Sequence, residues 1–306
     1  MLWLRVWCKC MVGLLILMGC RSGEQNSLRS DTWDKGEINI SADESFKPVI
    51  ESQVQVYEAD HPDVKLKVNY KPEAECLQDL TTDSVKLVIV TRFISEGERN
   101  FLVDSLKLSP RQMRMAYDAI AVIVNPDEEK EKFTMTEIHD ILTGKFKENL
   151  IPVFDGVKAT STVRFIVDSV LRSDSLTSKA MAARSSEEVI NYVSKNKGTI
   201  GFIGVSWIGN IDDPQQLSFL TKVRLAEIEC KGLPGQFVQP IQANIYNGLY
   251  PMTRDLVFIL KDSDKKSLGY GFTNFMTSER GQLIFRRAYL VPAYLQFIVR
   301  PTELRE

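Results

Sequence analysis

The sequence predicts an α/β protein with mostly parallel sheets. Short apolar strands alternate with amphipathic helical stretches along nearly the whole chain. Two of the strands, residues 86–90 and 119–124, are continuously apolar or nearly so, as strands buried on both faces are. Several helical stretches open on small hydroxyl residues soon after a strand, which is the ordinary joint of a βα unit.

The elements follow in order. Residues 37–41 read as a short strand, and residues 45–60 then place Phe46, Val49, Ile50, Val54 and Tyr57 near helical spacing. Residues 64–70 alternate strictly between apolar and polar and predict a half-buried strand. The strands 86–90 and 119–124 come next, the second stopped by Asn125-Pro126. Thr134 and Glu137 fit a capping box, and Gly144 is placed to end that helix. Val163, Ile166, Val167, Val170 and Leu171 form a helical apolar stripe. Ser185 with Glu188 predicts another helix, closing at Gly198 and followed by a strand over 199–205. A strand over 255–260 and a long helical stretch over 267–288, interrupted by Gly269 and Gly271 near its start and by Gly281 later, complete the series.

The first twenty residues say where the chain works. Arg5 and Lys9 precede an apolar run over 11–18, broken only by Gly13, and Leu17-Met18-Gly19-Cys20 follows. That run is far shorter than the ~20 residues needed to span a bilayer, so it reads as the core of a secretory signal. Its ending resembles a bacterial lipobox, in which the peptide is cut before the cysteine and Cys20 carries acyl chains such as palmitate. An ordinary signal peptide or a short anchor helix is the other reading. Residues 21–35 are polar and are expected to form a flexible tether between membrane and fold.

Removal of Arg5 and Lys9 moves the formal charge from −2 to −4. A mildly acidic surface of mixed sign argues against nucleic-acid binding and against a basic membrane-docking face. Roughly 285 mature residues exceed one ordinary core, so two domains are expected. Of five cysteines, Cys76 and Cys230 remain after the signal and Cys20 are assigned; they are either a disulfide or two separate buried thiols. The two histidines, His61 and His139, have no partner at metal spacing, so no metal or other cofactor is expected.

Candidate ligand residues lie at helix starts and strand ends. Ser45-Phe46 opens the first helix and Thr160-Ser161-Thr162 opens a later one. Free backbone N–H groups there can hold an anion, although each hydroxyl taken alone is better explained as an N-cap worth about 1 kcal/mol. It is the pair of such starts in separate halves that favours a cleft site. Thr91 and Arg92 follow the apolar strand 86–90, at the strand end where ligands collect in open α/β sheets. The planar fork of Arg92 suits an oxyanion; pairing with Glu96 or Glu98 is its bland alternative.

Six segments together resemble one family, the phosphate-binding lipoproteins of ABC uptake systems within the periplasmic binding protein superfamily. They are Ser41-Ala42-Asp43-Glu44-Ser45-Phe46-Lys47-Pro48, Val90-Thr91-Arg92, the run 117–126, Thr160-Ser161-Thr162-Val163-Arg164, the run 198–204 and Tyr250-Pro251-Met252-Thr253-Arg254. The resemblance implies two α/β lobes, each a mostly parallel sheet flanked by helices, joined by a strand hinge with the anion between them. It places lobe 1 at residues 36–117 plus 250–306 and lobe 2 at 118–249. It also implies anion contacts from Ser45, Phe46 (through its backbone N–H), Thr91, Arg92, Thr160, Ser161 and Thr162. Two departures stand out. Family members carry an arginine ahead of the hydroxyl turn, where this chain has Gly156, and a small Ser-Gly pair after the second strand, where it has Glu73-Ala74-Glu75-Cys76.

The expected function is capture of inorganic phosphate and delivery to the membrane subunits of an ABC permease, by a monomer lipid-anchored on the outer side of a bacterial membrane. No enzyme activity is expected, because no nucleophile–base pair or glycine-rich nucleotide loop can be placed. The alternatives are the same fold holding sulfate, molybdate or an organic phosphate, and a sensory or surface-interaction lipoprotein that no longer binds phosphate.

Overall fold

A computed structural model describes residues 31–156, 160–210 and 213–295. The lipobox with Cys20 and most of the expected tether lie outside the described residues. Residues from Asp31 onward form one compact unit.

Thirteen strands are described: β1 Gly36–Asp43, β2 Val64–Lys71, β3 Val85–Val90, β4 Arg111–Val124, β5 Lys132–Phe133, β6 Ile151–Phe154, β7 Met181–Ala182, β8 Thr199–Gly204, β9 Arg224–Leu225, β10 Glu227–Glu229, β11 Phe237–Val238, β12 Thr253–Leu260 and β13 Val291–Pro292. The main sheet has the order β2-β1-β3-β12-β4-β8-β6-β7, with β13 and β9 also pairing with β4. At one end β1 pairs in parallel with β2 and β3, and at the other β6 pairs in parallel with β7 and β8. The strands between them, β12 and β4, run antiparallel to their neighbours.

β4 joins the two halves. Its residues from Arg111 to Ala119 pair with β12, whereas Ile120 to Val124 pair with β8. One continuous strand therefore changes partner in mid-course. The buried apolar side chains divide at the same place. Ile40, Leu87, Ile89, Met115, Phe258 and Phe272 share one cluster, while Val88, Val90, Val257 and Ile259 share another on the opposite face of the same strands. Beyond the crossing, Ile120, Val122 and Val124 face one cluster and Ala121 and Ile123 the other. Strands buried on both faces need apolar residues at every position, which is why these runs do not alternate.

Both capping boxes are at the expected places in part. Thr134 and Glu137 cap each other reciprocally, and Gly144 closes that helix in the left-handed region at φ 76°. Ser185 caps the helix Ser186–Lys195, which ends before the expected Gly198.

Other boundaries differ from expectation. The first α-helix is Lys47–Asp60, preceded by a 3-10 turn Glu44–Phe46. Pro48 suits the first helical turn, where its missing N–H has no helical acceptor. The stripe that begins at Val163 is α-helical only over Ser161–Phe165 and then widens into a π-helical stretch, Ile166–Leu171. The interrupted helical stretch expected over 267–288 is two helices, Leu268–Thr277 and Glu279–Arg287, broken at the extended Ser278 rather than at one of its glycines. A side chain at Gly281 would meet Phe275 O at 2.3 Å, so glycine is what lets the second helix turn back closely. The sequence reading also passed over β6 and the short helix Glu73–Gln78.

Candidate functional site

The site lies where β4 changes partner. Asp118 on β4 and Arg254 on β12 are directly opposed in the antiparallel register. Arg254 Nε donates to Asp118 Oδ2 at 2.7 Å, and both side chains are almost wholly buried. The guanidinium rests over the ring of Phe46, 5.0 Å from its centroid. Its Nη1 reaches across to the turn after β6, donating to Ser161 Oγ at 2.8 Å and to Thr162 Oγ1 at 3.3 Å. Its Nη2 is buried with no hydrogen-bond partner.

Ser45 stands on the other side of this cluster. Asp43, not Ser45, caps the opening turn, accepting from Ser45 N at 2.9 Å. That leaves the buried Ser45 hydroxyl directed at the opposite side of the cluster, 3.4 Å from Ser161 Oγ and 3.4 Å from Asp155 Oδ2. Asp155 also accepts from Ser186 Oγ at 3.0 Å. Asp43 Oδ2, Asp118 Oδ1 and Asp155 Oδ1 are buried without a donor. Burial, reinforced by the charge of Asp43, pushes the Asp155 carboxyl up to about 7. Burial raises Asp43 as well, against the attraction of Arg254. Around neutral pH the cluster therefore holds a proton readily, and its donors and acceptors lie side by side.

The structure brings Ser45, Phe46, Ser161 and Thr162 together, as expected of the candidate site. Thr160 flanks them as N-cap of the short helix, its Oγ1 accepting from Val163 N at 3.2 Å. Thr91 is nearby but engaged, since both its N–H and its hydroxyl donate to Glu73 Oε1, at 2.7 and 2.6 Å. Arg92 is not brought to the cluster. Its fork is filled bidentately by Glu98, at 2.8 and 2.7 Å, and that pairing holds the Glu98 carboxyl down at about 2.

Sequence reasoning passed over Arg254, Asp118, Asp43 and Asp155. The signal for the first two was present: a lone carboxylate inside the buried run of β4 and a lone arginine beside the buried run of β12 require each other. Arg254 reaches Ser161 and Thr162 from β12, whereas position 156, just beyond β6, is glycine.

The model of a "PBP superfamily domain" matches residues 29–280. The chain belongs to the PBP superfamily. Within it, the chain is similar to the phosphate-binding protein PstS of Staphylococcus epidermidis, at 22% identity over 284 residues, covering 89% of this chain and 83% of that protein. It is similar in structure to a Clostridium perfringens protein named as a phosphate ABC transporter substrate-binding protein and solved with bound phosphate. The TM-score is 0.69 at 20% identity, over 84% of this chain and 100% of that one. An ABC-type phosphate transport receptor from Vibrio cholerae gives a TM-score of 0.62 at 16% identity, over 84% of this chain and 100% of the other. At these identities the structural likeness shows the two-lobed periplasmic binding protein fold.

Cys76 and Cys230 are buried and free. Among the described residues no helix is long and apolar enough to cross a membrane.

Proposed function

We propose that this member of the PBP superfamily captures inorganic phosphate between its lobes and hands it to an ABC permease, without making or breaking bonds. One observation carries the reading: a buried arginine with an unpartnered Nη2 sits among the Ser45, Ser161 and Thr162 hydroxyls and beside unpartnered carboxylate oxygens of Asp43 and Asp155. Such a set suits an oxyanion that accepts hydrogen bonds and also donates them. Protonated phosphate does both. Fully ionised sulfate or molybdate brings no proton of its own, so it donates nothing to the unpartnered carboxylate oxygens and meets like charge whenever one of them is ionised.

In this reading Ser45, Phe46, Ser161, Thr162 and Arg254 form the ligand shell, and Thr160 supports it as a cap. Arg92 serves the surface through Glu98. The lobes are residues 36–117 plus 250–306 and 118–249; the change of buried cluster along β4 near residue 118 supports the first crossing, whereas Tyr250, Met252 and Val291 pack with the core of the 118–249 lobe. Acyl chains on Cys20 would hold a monomer at the outer side of a bacterial membrane.

A second reading, a sensory or surface-interaction lipoprotein without phosphate binding, is favoured by a different observation. Ser45 N–H and both donors of Thr91 already bond the protein's own carboxylates. Radiolabelled phosphate binding to the chain from Ser22 onward, stripped of anion and challenged with sulfate and arsenate, separates the two. Displacement by arsenate but not by sulfate is expected. No binding at millimolar phosphate would overturn the transport reading.

A further inference from the structure

A second polar network crosses between the lobes beside the candidate anion site. Glu73 begins the short helix after β2, and its side chain is 1% exposed. Its Oε1 accepts from the Thr91 N–H and hydroxyl, so two bonds within one lobe hold the carboxylate in place. Its Oε2 accepts from Arg164 Nε at 2.5 Å. Arg164 comes from the helix that opens on Ser161, across the cleft, and its Nη2 donates to Thr91 Oγ1 at 2.6 Å. Burial alone would raise the Glu73 carboxyl. The charge and hydrogen bonds of Arg164 outweigh it, and the group is held below the usual carboxylate range.

We infer that Glu73 and Arg164 are positioning residues that set how readily the lobes close, and through closure the affinity for the ligand, without contacting it. The inference rests on the binding-protein reading for its affinity arm but not for its closure arm. Three features support it. Glu73 is preorganised, since its bonds to Thr91 do not depend on the other lobe, so closure has only one partner to order. Arg164 has a waiting partner on its own helix, Asp168, 3.3 Å away and largely exposed, which can hold the guanidinium when the lobes part. The network also occupies both donors of Thr91, replacing a ligand contact with a contact between lobes. A second tie works alongside it: the Ser45 carbonyl accepts from Ser206 Oγ at 3.2 Å and Trp207 Nε1 at 2.8 Å, both from the far lobe. When only the closed form binds tightly, apparent affinity scales with the closed fraction.

Single-molecule FRET between the lobes of the full chain in detergent tests this, alongside phosphate association and dissociation rates. The variants are Arg164→Met, which keeps the stem, and Glu73→Gln, which keeps the shape. The expected result is a smaller closed fraction without ligand in both variants and about a tenfold weaker phosphate affinity, nearly all in the dissociation rate. Wild-type closed fractions in both variants would overturn the inference. If phosphate fails to bind the wild type while the variants still lose closure, the transport reading falls and the latch stands.

Discussion

Arg254 and Asp118 face each other across β12 and β4 and share a 2.7 Å hydrogen bond at the point where β4 exchanges one strand partner for another. A buried charge pair of this type contributes little net stability, because desolvation offsets the attraction, but breaking it exposes the survivor. Arg254→Met should therefore lower stability by about 3–5 kcal/mol, read by urea unfolding, and abolish phosphate binding. The double variant Arg254→Met with Asp118→Leu should recover most of the stability and none of the binding. Retained binding in the double variant would remove Arg254 from the ligand shell.

Gly204, the last residue of β8, lies flush against this pair. A Cβ there would sit 3.1 Å from Arg254 Nη2, 3.5 Å from Ser45 O and 3.7 Å from Asp118 Oδ2. Its φ of −65° suits any residue, so Gly204→Ala stores no backbone strain. Titration calorimetry should show phosphate affinity down several-fold while the melting temperature moves by only a few degrees.

Asp155 carries a pH signature. Its carboxyl is raised to about 7 in the fold, from an ordinary value near 3.8. Between these values the unfolded chain has released a proton that the folded chain still binds, so stability falls as pH rises from about 4 to 7 and then levels. Asp155→Asn should flatten that fall and raise the ligand-free melting temperature above pH 7 by a few degrees. Parallel melting curves for the two proteins across this range would count against a raised Asp155.

Arg92→Ala should leave phosphate affinity within about twofold of wild type. The residue is part-exposed and already paired with Glu98, so a stability loss of roughly 1 kcal/mol or less is expected. A tenfold loss of affinity in a competition assay would return Arg92 to the ligand shell.

The strands were legible because β3, β4, β8 and β12 announce burial on both faces through unbroken apolar runs. The hydroxyl residues of the cleft were legible for a related reason, since Ser161 and Thr162 follow a strong cap at Thr160. What stayed hidden depends on pairing between distant segments. Asp118 and Arg254 each stand out as a charge in or beside a buried run, but nothing local says that they meet, and Glu73 and Arg164 look like ordinary surface charges until the fold brings them together. Arg92 misled for the converse reason. Its place after β3 is right for a ligand, but Glu98 lies six residues on and within easy reach. Ser45 opens its segment as expected, yet Asp43 takes over the capping and frees the hydroxyl to face the cleft.

Since β4 passes through both lobes, it acts as an axle, and the atoms nearest it travel least when the lobes turn. Arg254, Asp118 and Ser161 lie beside that axle, so a ligand held there is scarcely displaced by closure. Displacement grows with the lever arm and is greatest at the sheet's two edge strands, β2 and β7. A partner that grips both rims would sense the occupied state as a change of span, at a distance from the charge that caused it.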